Sequence, residues 1–296
     1  MGVRTLGLAL AAFATLVCAA RADDDEAPQT GDPFYRLDTK NLFGALEGSD
    51  VGEQGDRSIE LETTGSLFKN YGRYAFVEQE AIYEITPTPR VGVEFGSHFY
   101  GQSIRDVPGI SNFSGADFAG LSNEWRYLLW PRSGPWGLQA TVTAMPQWAR
   151  LFEGGARGQD YQLPLLFILE AQPIARRLYA DLNLTYAPEY LRIDGAAWER
   201  ASTLNASGAI SWRPTPNAMI GGEADYVNLF DGLAAGSWQG SALFLGPTFH
   251  YQITEKVDLS GAWTEQVAGR ARGQPGRFDL ADFTRSQAKL RLEMDF

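Results

Sequence analysis

The chain has 296 residues, of which 44% are hydrophobic and 12% aromatic, and its 36 acidic against 25 basic side chains leave a formal net charge of −11. That surplus of acid argues against a nucleic-acid partner, which requires a basic face. After the first 22 residues no apolar run approaches the roughly 20 residues of a membrane-spanning helix, so a helical membrane protein is excluded as well.

The chain opens with Arg4, an apolar stretch from Leu6 to Val17 and the small-x-small triplet Ala20-Arg21-Ala22. This is the form of a secretory signal peptide, too short to span a bilayer and cleaved after residue 22. A lipoprotein reading of Cys18 lacks the small residue that normally precedes a lipidated cysteine. Cleavage then removes the single cysteine, and no disulfide can support the mature chain. It also removes two basic residues, leaving 23 against 36 acidic ones, a net −13.

Residues 23–56 hold ten of those acids against Arg36 and Lys40. They read as an acidic periplasmic tail, either a flexible spacer or a plug whose apolar patch, Leu42-Phe43-Gly44-Ala45-Leu46, docks on or inside the rest of the chain. The opening run Asp23-Asp24-Asp25-Glu26 lacks the spaced ligands and glycine of a calcium loop, and there is no His/Cys cluster. No metal or cofactor is expected.

From residue 57 the chain divides into twelve segments of strand length, at 57–68, 73–85, 90–104, 117–130, 136–150, 161–172, 177–192, 198–213, 218–230, 240–252, 257–269 and 279–296. Short turns come after the even segments, as at Thr86-Pro87-Thr88-Pro89 and Pro214-Thr215-Pro216-Asn217. Longer, Gly-rich links come after most odd segments, for example Arg105 to Ala116 and Arg270 to Phe278. Within segments the side chains alternate: Leu178, Ala180, Leu182, Leu184 and Tyr186 share one face, and Tyr179, Asp181, Asn183 and Thr185 the other. A period of two is that of a β-strand with one apolar and one polar side. Aromatics gather at segment ends, with Tyr83, Trp130, Trp136, Trp212 and Phe296 at one rim and Phe99, Trp148, Tyr186 and Tyr226 at the other. Gln79 and Asn123 interrupt the apolar faces.

The last segment ends in unbroken alternation, Ala288, Leu290, Leu292, Met294 and Phe296 against Lys289, Arg291, Glu293 and Asp295. A strand closing on a terminal aromatic resembles the C-terminal signature of bacterial outer-membrane β-barrels, read in that family by the barrel-insertion machinery through the residue here numbered Phe296. The resemblance covers the signal peptide and residues 57–296. It implies an all-β fold, a transmembrane antiparallel up-and-down barrel of about twelve strands in the outer membrane, with lipids around it and both termini in the periplasm.

The inward faces then carry the chemistry. Glu78, Glu80, Glu94, His98, Glu124, Arg126, Glu170, Asp181, Glu223, Asp225 and His250 are candidate lumen-lining residues. Closing the barrel sets the last strand against the first, so Glu60 and Glu62 are expected to pair with Lys289 and Arg291. Twelve strands give a lumen between a filled eight-stranded barrel and an open porin. The expected function is a narrow, mildly cation-preferring channel for a small solute. The alternatives are a lipid-acting barrel enzyme and a structural or adhesive barrel without an open pore. Twelve-stranded outer-membrane phospholipases and lipid A deacylases have a catalytic His followed two residues later by Ser. Here the two histidines read His98-Phe99-Tyr100 and His250-Tyr251-Gln252, without that serine.

Overall fold

The computed structural model describes Phe34 and residues 37–296. The expected signal peptide and the start of the tail lie outside the described residues. Fourteen antiparallel strands form one sheet: β1 (Arg57–Leu67), β2 (Arg73–Thr88), β3 (Val91–Arg105), β4 (Phe113–Ser133), β5 (Leu138–Ala144), β6 (Gln147–Leu151), β7 (Arg157–Gln162), β8 (Leu165–Ile174), β9 (Leu178–Ile193), β10 (Glu199–Thr215), β11 (Ala218–Asp231), β12 (Ser237–Thr254), β13 (Val257–Ala271) and β14 (Ser286–Asp295). β14 pairs with both β13 and β1, so the sheet closes on itself.

The strands make twelve staves because β5 with β6, and β7 with β8, are each one stave interrupted. The interruptions fall at Pro146 and Pro164, and Pro188 lies beside them in β9. A proline cannot donate to the ladder. The neighbouring amides still bridge the gap, with Asn123 N donating to Pro146 O, Met145 N to Pro164 O and Leu163 N to Pro188 O. The twelve expected segments are therefore present, with two of them broken at these prolines.

Further departures occur at the outer end. β4 starts at Phe113, ahead of the expected 117, and β14 starts at Ser286 rather than at 279. Residues 279–285, expected to open the last strand, instead fold inward as a loop, where Phe283 meets Phe244 edge-on at 6.3 Å. Loop 106–112 also turns in, packing Val107 and Ile110 against Tyr74, Phe76 and Ile104.

The two faces of the wall differ as a membrane requires. On β9, Leu182 and Leu184 are 40% and 44% exposed, whereas Tyr179, Asp181 and Asn183 are buried on the inner side. Large apolar side chains cover the outside around the ring, among them Phe167, Leu204, Ile210, Ile220, Leu245, Phe249 and Leu290. Such a surface suits hydrocarbon, and buried charge lies within. Gln79 and Asn123 do face outward, each hydrogen-bonded locally. Thr63 Oγ1 donates to Gln79 Oε1 at 2.7 Å, and Asn123 Nδ2 donates to Glu94 O at 2.6 Å. Phe296 lies 6.5 Å from the Tyr83 ring at the rim where the short turns and both barrel ends meet. The chain is an outer-membrane β-barrel.

Candidate functional site

The lumen is occupied by the chain itself. Residues 37–51 enter from the end that holds the short turns and run along the inner wall almost wholly buried. A tight turn at Gly44 and Ala45 brings Phe43 and Leu46 together in an isolated antiparallel bridge. Gly44 has φ +76° and lies against Thr248, where a β-carbon would stand 2.8 Å from the threonine methyl, so the turn needs a glycine.

The apolar side of this turn meets an apolar patch of the inner wall. Leu37, Leu42, Phe43 and Leu46 pack on Tyr179 of β9, Ala209 of β10 and Met219 of β11. Removal of these side chains from water is the main drive for docking.

The opposite side of the segment is polar and meets charge. Glu47 binds Arg126 at 3.1 Å and Arg291 at 2.6 Å, with Lys289 at 4.0 Å. Burial would raise the Glu47 carboxyl, but Arg291, Lys289 and Arg126 hold it well below the usual carboxylate range. Arg126 also donates to the carbonyls of Gly48 and Asp50, at 2.7 and 3.1 Å. Lys40 is clamped between Glu84 and Glu94, the latter at 2.7 Å. Burial would lower its pKa, yet the surrounding carboxylates keep it raised well above the ordinary lysine value. Asn41 donates to Glu60 and Glu293, each at 2.8 Å. Ser49 Oγ donates to Glu170 at 2.8 Å, Gln139 donates to Asp50 at 2.7 Å, and Ala45 N donates to Glu223 at 3.1 Å.

The expected seam pairs form in the same place. Arg291 lies 2.8 Å from Glu60 and 3.1 Å from Glu62, and Lys289 lies 2.8 Å from Glu62. The register sets Glu62 directly opposite Arg291.

Beyond the segment lies a cavity of about 500 Å³ lined by Glu62, Glu78, Glu80, Glu94, His98 and Glu124, with Lys40 and Glu47 at its inner limit. His98 is held on both sides, its Nδ1 2.7 Å from Glu78 and its Nε2 3.2 Å from Glu80. Ser122 Oγ donates to Glu80 at 2.9 Å. A second cavity, about 300 Å³, lies on the periplasmic side and is lined by Asn41, Asp56, Ser58, His250, Asp258 and Glu293. Lys40 lines both cavities and so stands in the partition between them.

The candidate lumen residues thus fall into three groups. Glu78, Glu80, Glu94, His98 and Glu124 line the larger cavity. Arg126, Glu170 and Glu223 contact the segment, and Asp181 accepts a hydrogen bond from Asn183, which itself donates to Glu47 O at 2.9 Å. Asp225 stands apart, accepting from Ser207 at 2.6 Å, and His250 lines the second cavity, 3.3 Å from Asp258. Sequence reasoning did not single out Lys40, Asn41, Glu47, Ser49 or Asp50. Their one visible signal was an apolar patch, Leu42 to Leu46, bracketed by opposite charges within an otherwise acidic stretch.

Comparison with known proteins agrees with this architecture. A family of unknown function (DUF6662) matches residues 36–296, so the matched unit includes the lumen segment together with the barrel. No curated protein matches the sequence. Among solved structures, the chain is similar to the COG4313 outer membrane channel from Pseudomonas putida F1. The identity is 12% and the TM-score 0.55, over 84% of this chain and 98% of that one. It also matches the translocator domain of the autotransporter NalP from Neisseria meningitidis, at 10% identity and a TM-score of 0.45, over 84% of this chain and 91% of that one. At 12% identity the likeness to the outer membrane channel is one of fold.

Proposed function

We propose, for a chain that belongs to the family of unknown function DUF6662, the function of an outer-membrane channel for small solutes whose lumen is closed by its own residues 37–51. The observation that carries this reading is the partition. A buried segment, anchored by apolar packing on one side and by ion pairs on the other, separates two polar cavities inside one closed wall. Polar cavities above and below a removable segment are what a gated conduit needs; a purely structural barrel gains nothing from them. The channel reading also agrees with the fold shared with an outer membrane channel.

The acid lining of the larger cavity gives the conduit its preference. Glu62, Glu78, Glu80, Glu94 and Glu124 outnumber the bases there, so cations are concentrated in it and anions repelled. A lipid-acting enzyme would need a nucleophile and base on the lipid-facing wall, and both histidines instead face inward, each against a carboxylate. Barrel lipids outside, the insertion machinery at Phe296 and a small cationic or neutral solute inside are the partners this reading assigns. In planar bilayers under a salt gradient, replacing Glu78, Glu80 and Glu94 together by Gln moves the reversal potential toward that of a non-selective pore. An unchanged reversal potential would show that these carboxylates do not line the conducting path.

A further inference from the structure

Among residues 37–51 only Lys40 lines both cavities, and its surroundings show what the partition is built to hold. Its Nζ lies between Glu84 and Glu94, 2.7 Å from the latter, and the residue is 4% exposed. Glu84 lines the periplasmic cavity and Glu94 the larger one. Each cavity thus meets one carboxylate of the clamp, and an ammonium group carried by the chain itself stands in the passage. Acid is in surplus at this point. Glu60 is paired with Arg291 at 2.8 Å, whereas Lys40 is the only base within ion-pair distance of Glu84 or Glu94 among the described residues. Glu293 also acts on Lys40 and has no base of its own at that distance.

The periplasmic cavity adds acceptors. Asn41 Oδ1 and Gln252 Oε1 line it and have no hydrogen-bond partner among the described residues, although the two residues are only 5% and 7% exposed. A buried acceptor without a donor is costly, and an incoming N–H group relieves that cost. Surplus carboxylate and open acceptors select the same chemistry, a cation that donates hydrogen bonds. A metal ion is a poorer match, because no group of three His, Cys, Asp or Glu side chains among the described residues is placed to hold one. An ammonium group is compact and carries three donors, and the clamp already holds one.

On the channel reading, on which this inference rests, we propose that the solute is a small primary amine in its ammonium form, which opens the lumen by taking the place of Lys40 between Glu84 and Glu94. Lys40 is then a tethered copy of the ligand. A tethered group competes at an effective concentration in the millimolar range or above, so the passage stays closed until amine accumulates in the acid-lined larger cavity. There it meets Glu94 first and Glu84 next. The exchange keeps both carboxylates paired, which avoids the cost of leaving a buried charge alone, and it frees the segment from one of its ionic anchors.

The test follows cleavage by chymotrypsin after Phe43 in the complete chain folded in detergent micelles, where the cut requires the segment to leave the wall. The probe is n-propylamine hydrochloride, which supplies the atoms that Lys40→Ala removes; 1-propanol and NaCl are the controls. Lys40→Ala speeds cleavage, and about 50 mM amine slows it again about tenfold for a dissociation constant on the order of 5 mM. In the parent chain the same amine acts in the opposite direction and speeds cleavage at up to about 200 mM, where it outcompetes the tethered lysine. Protection of Lys40→Ala with exposure of the parent, by amine and by neither control, is the expected result. The proposal is overturned if amine fails to protect Lys40→Ala, if 1-propanol or NaCl does as well, or if the parent does not respond. The parent arm needs no variant, so it decides even where Lys40→Ala does not refold. Neither readout requires a current, so a failed channel reading would show itself in conductance recordings alone.

Discussion

The two sides of the lumen are built from different chemistry, and the segment between them is matched to both. Toward β1–β4 and β14 the inner wall is a lattice of charge, in which Arg126 and Arg291 are almost completely buried and each touches two or more carboxylates. Toward β9–β11 it offers Tyr179, Ala209 and Met219 to an apolar turn. Ion pairs at this depth set geometry more than they add stability, because desolvation offsets most of their attraction. Apolar packing supplies the affinity and the charges supply the register. The two sides respond differently to pH, because carboxylates and bases hold the segment on one of them and apolar side chains on the other.

The charged side breaks hardest. Arg291→Ala leaves Glu47, Glu60 and Glu62 buried around a missing guanidinium, at a cost of about 3–5 kcal/mol, read as a lower urea midpoint in tryptophan fluorescence. On the apolar side Leu42→Ala, at a position 1% exposed, costs about 2–3 kcal/mol. The loss appears as protease sensitivity of residues 37–56 with the barrel itself intact. Added salt does not separate the two, since Arg126 and Arg291 are 1% and 2% exposed and screening acts on exposed charge.

Glu47→Gln has a smaller effect, about 1–2 kcal/mol, because Arg126 and Arg291 each keep another carboxylate. Its pH dependence is specific. The folded-state value of Glu47 is depressed, so its contribution is complete above the unfolded value of about 4.3 and is lost only as pH falls through the lower folded value. The stability difference between Glu47→Gln and the parent is therefore flat from about pH 8 to about pH 5 and shrinks below that range. The smallest change is on the lipid face. Gln79→Leu removes a locally satisfied polar group, and it shifts stability by about 0.5 kcal/mol or less once Thr63 is changed to Val with it.

Much of the barrel could be read from the chain because a strand's alternation is local: Leu178 to Tyr186 declare their faces without reference to any neighbour. The same locality misled at residues 279–285. Leu280 is in phase with Leu290 of β14 but Phe283 is not, and the apolar surface that receives Phe283 is Phe244 of β12, inside the mouth. Pro146 and Pro164 did carry a signal for the broken staves, since a proline inside a strand interrupts the ladder. The lumen segment was only half legible. Its apolar patch was visible, but that Glu47 meets Arg126 and Arg291, 79 and 244 residues away, depends on a register no local pattern encodes. Inward-facing acids could be named, whereas the division between those that line a cavity and those that hold the segment required the fold.

Single-channel recording of the refolded protein, with and without residues 23–56, puts the closed lumen to the sharpest trial. Both forms are first shown to be folded by their strand-type circular dichroism and by insertion in the bilayer. A lumen closed by residues 37–51 gives small or rare conductance steps from the complete chain and larger, sustained, cation-selective steps once the segment is removed. Equal conductance in the two forms, or silence in both, would contradict a channel closed by its own N-terminal segment.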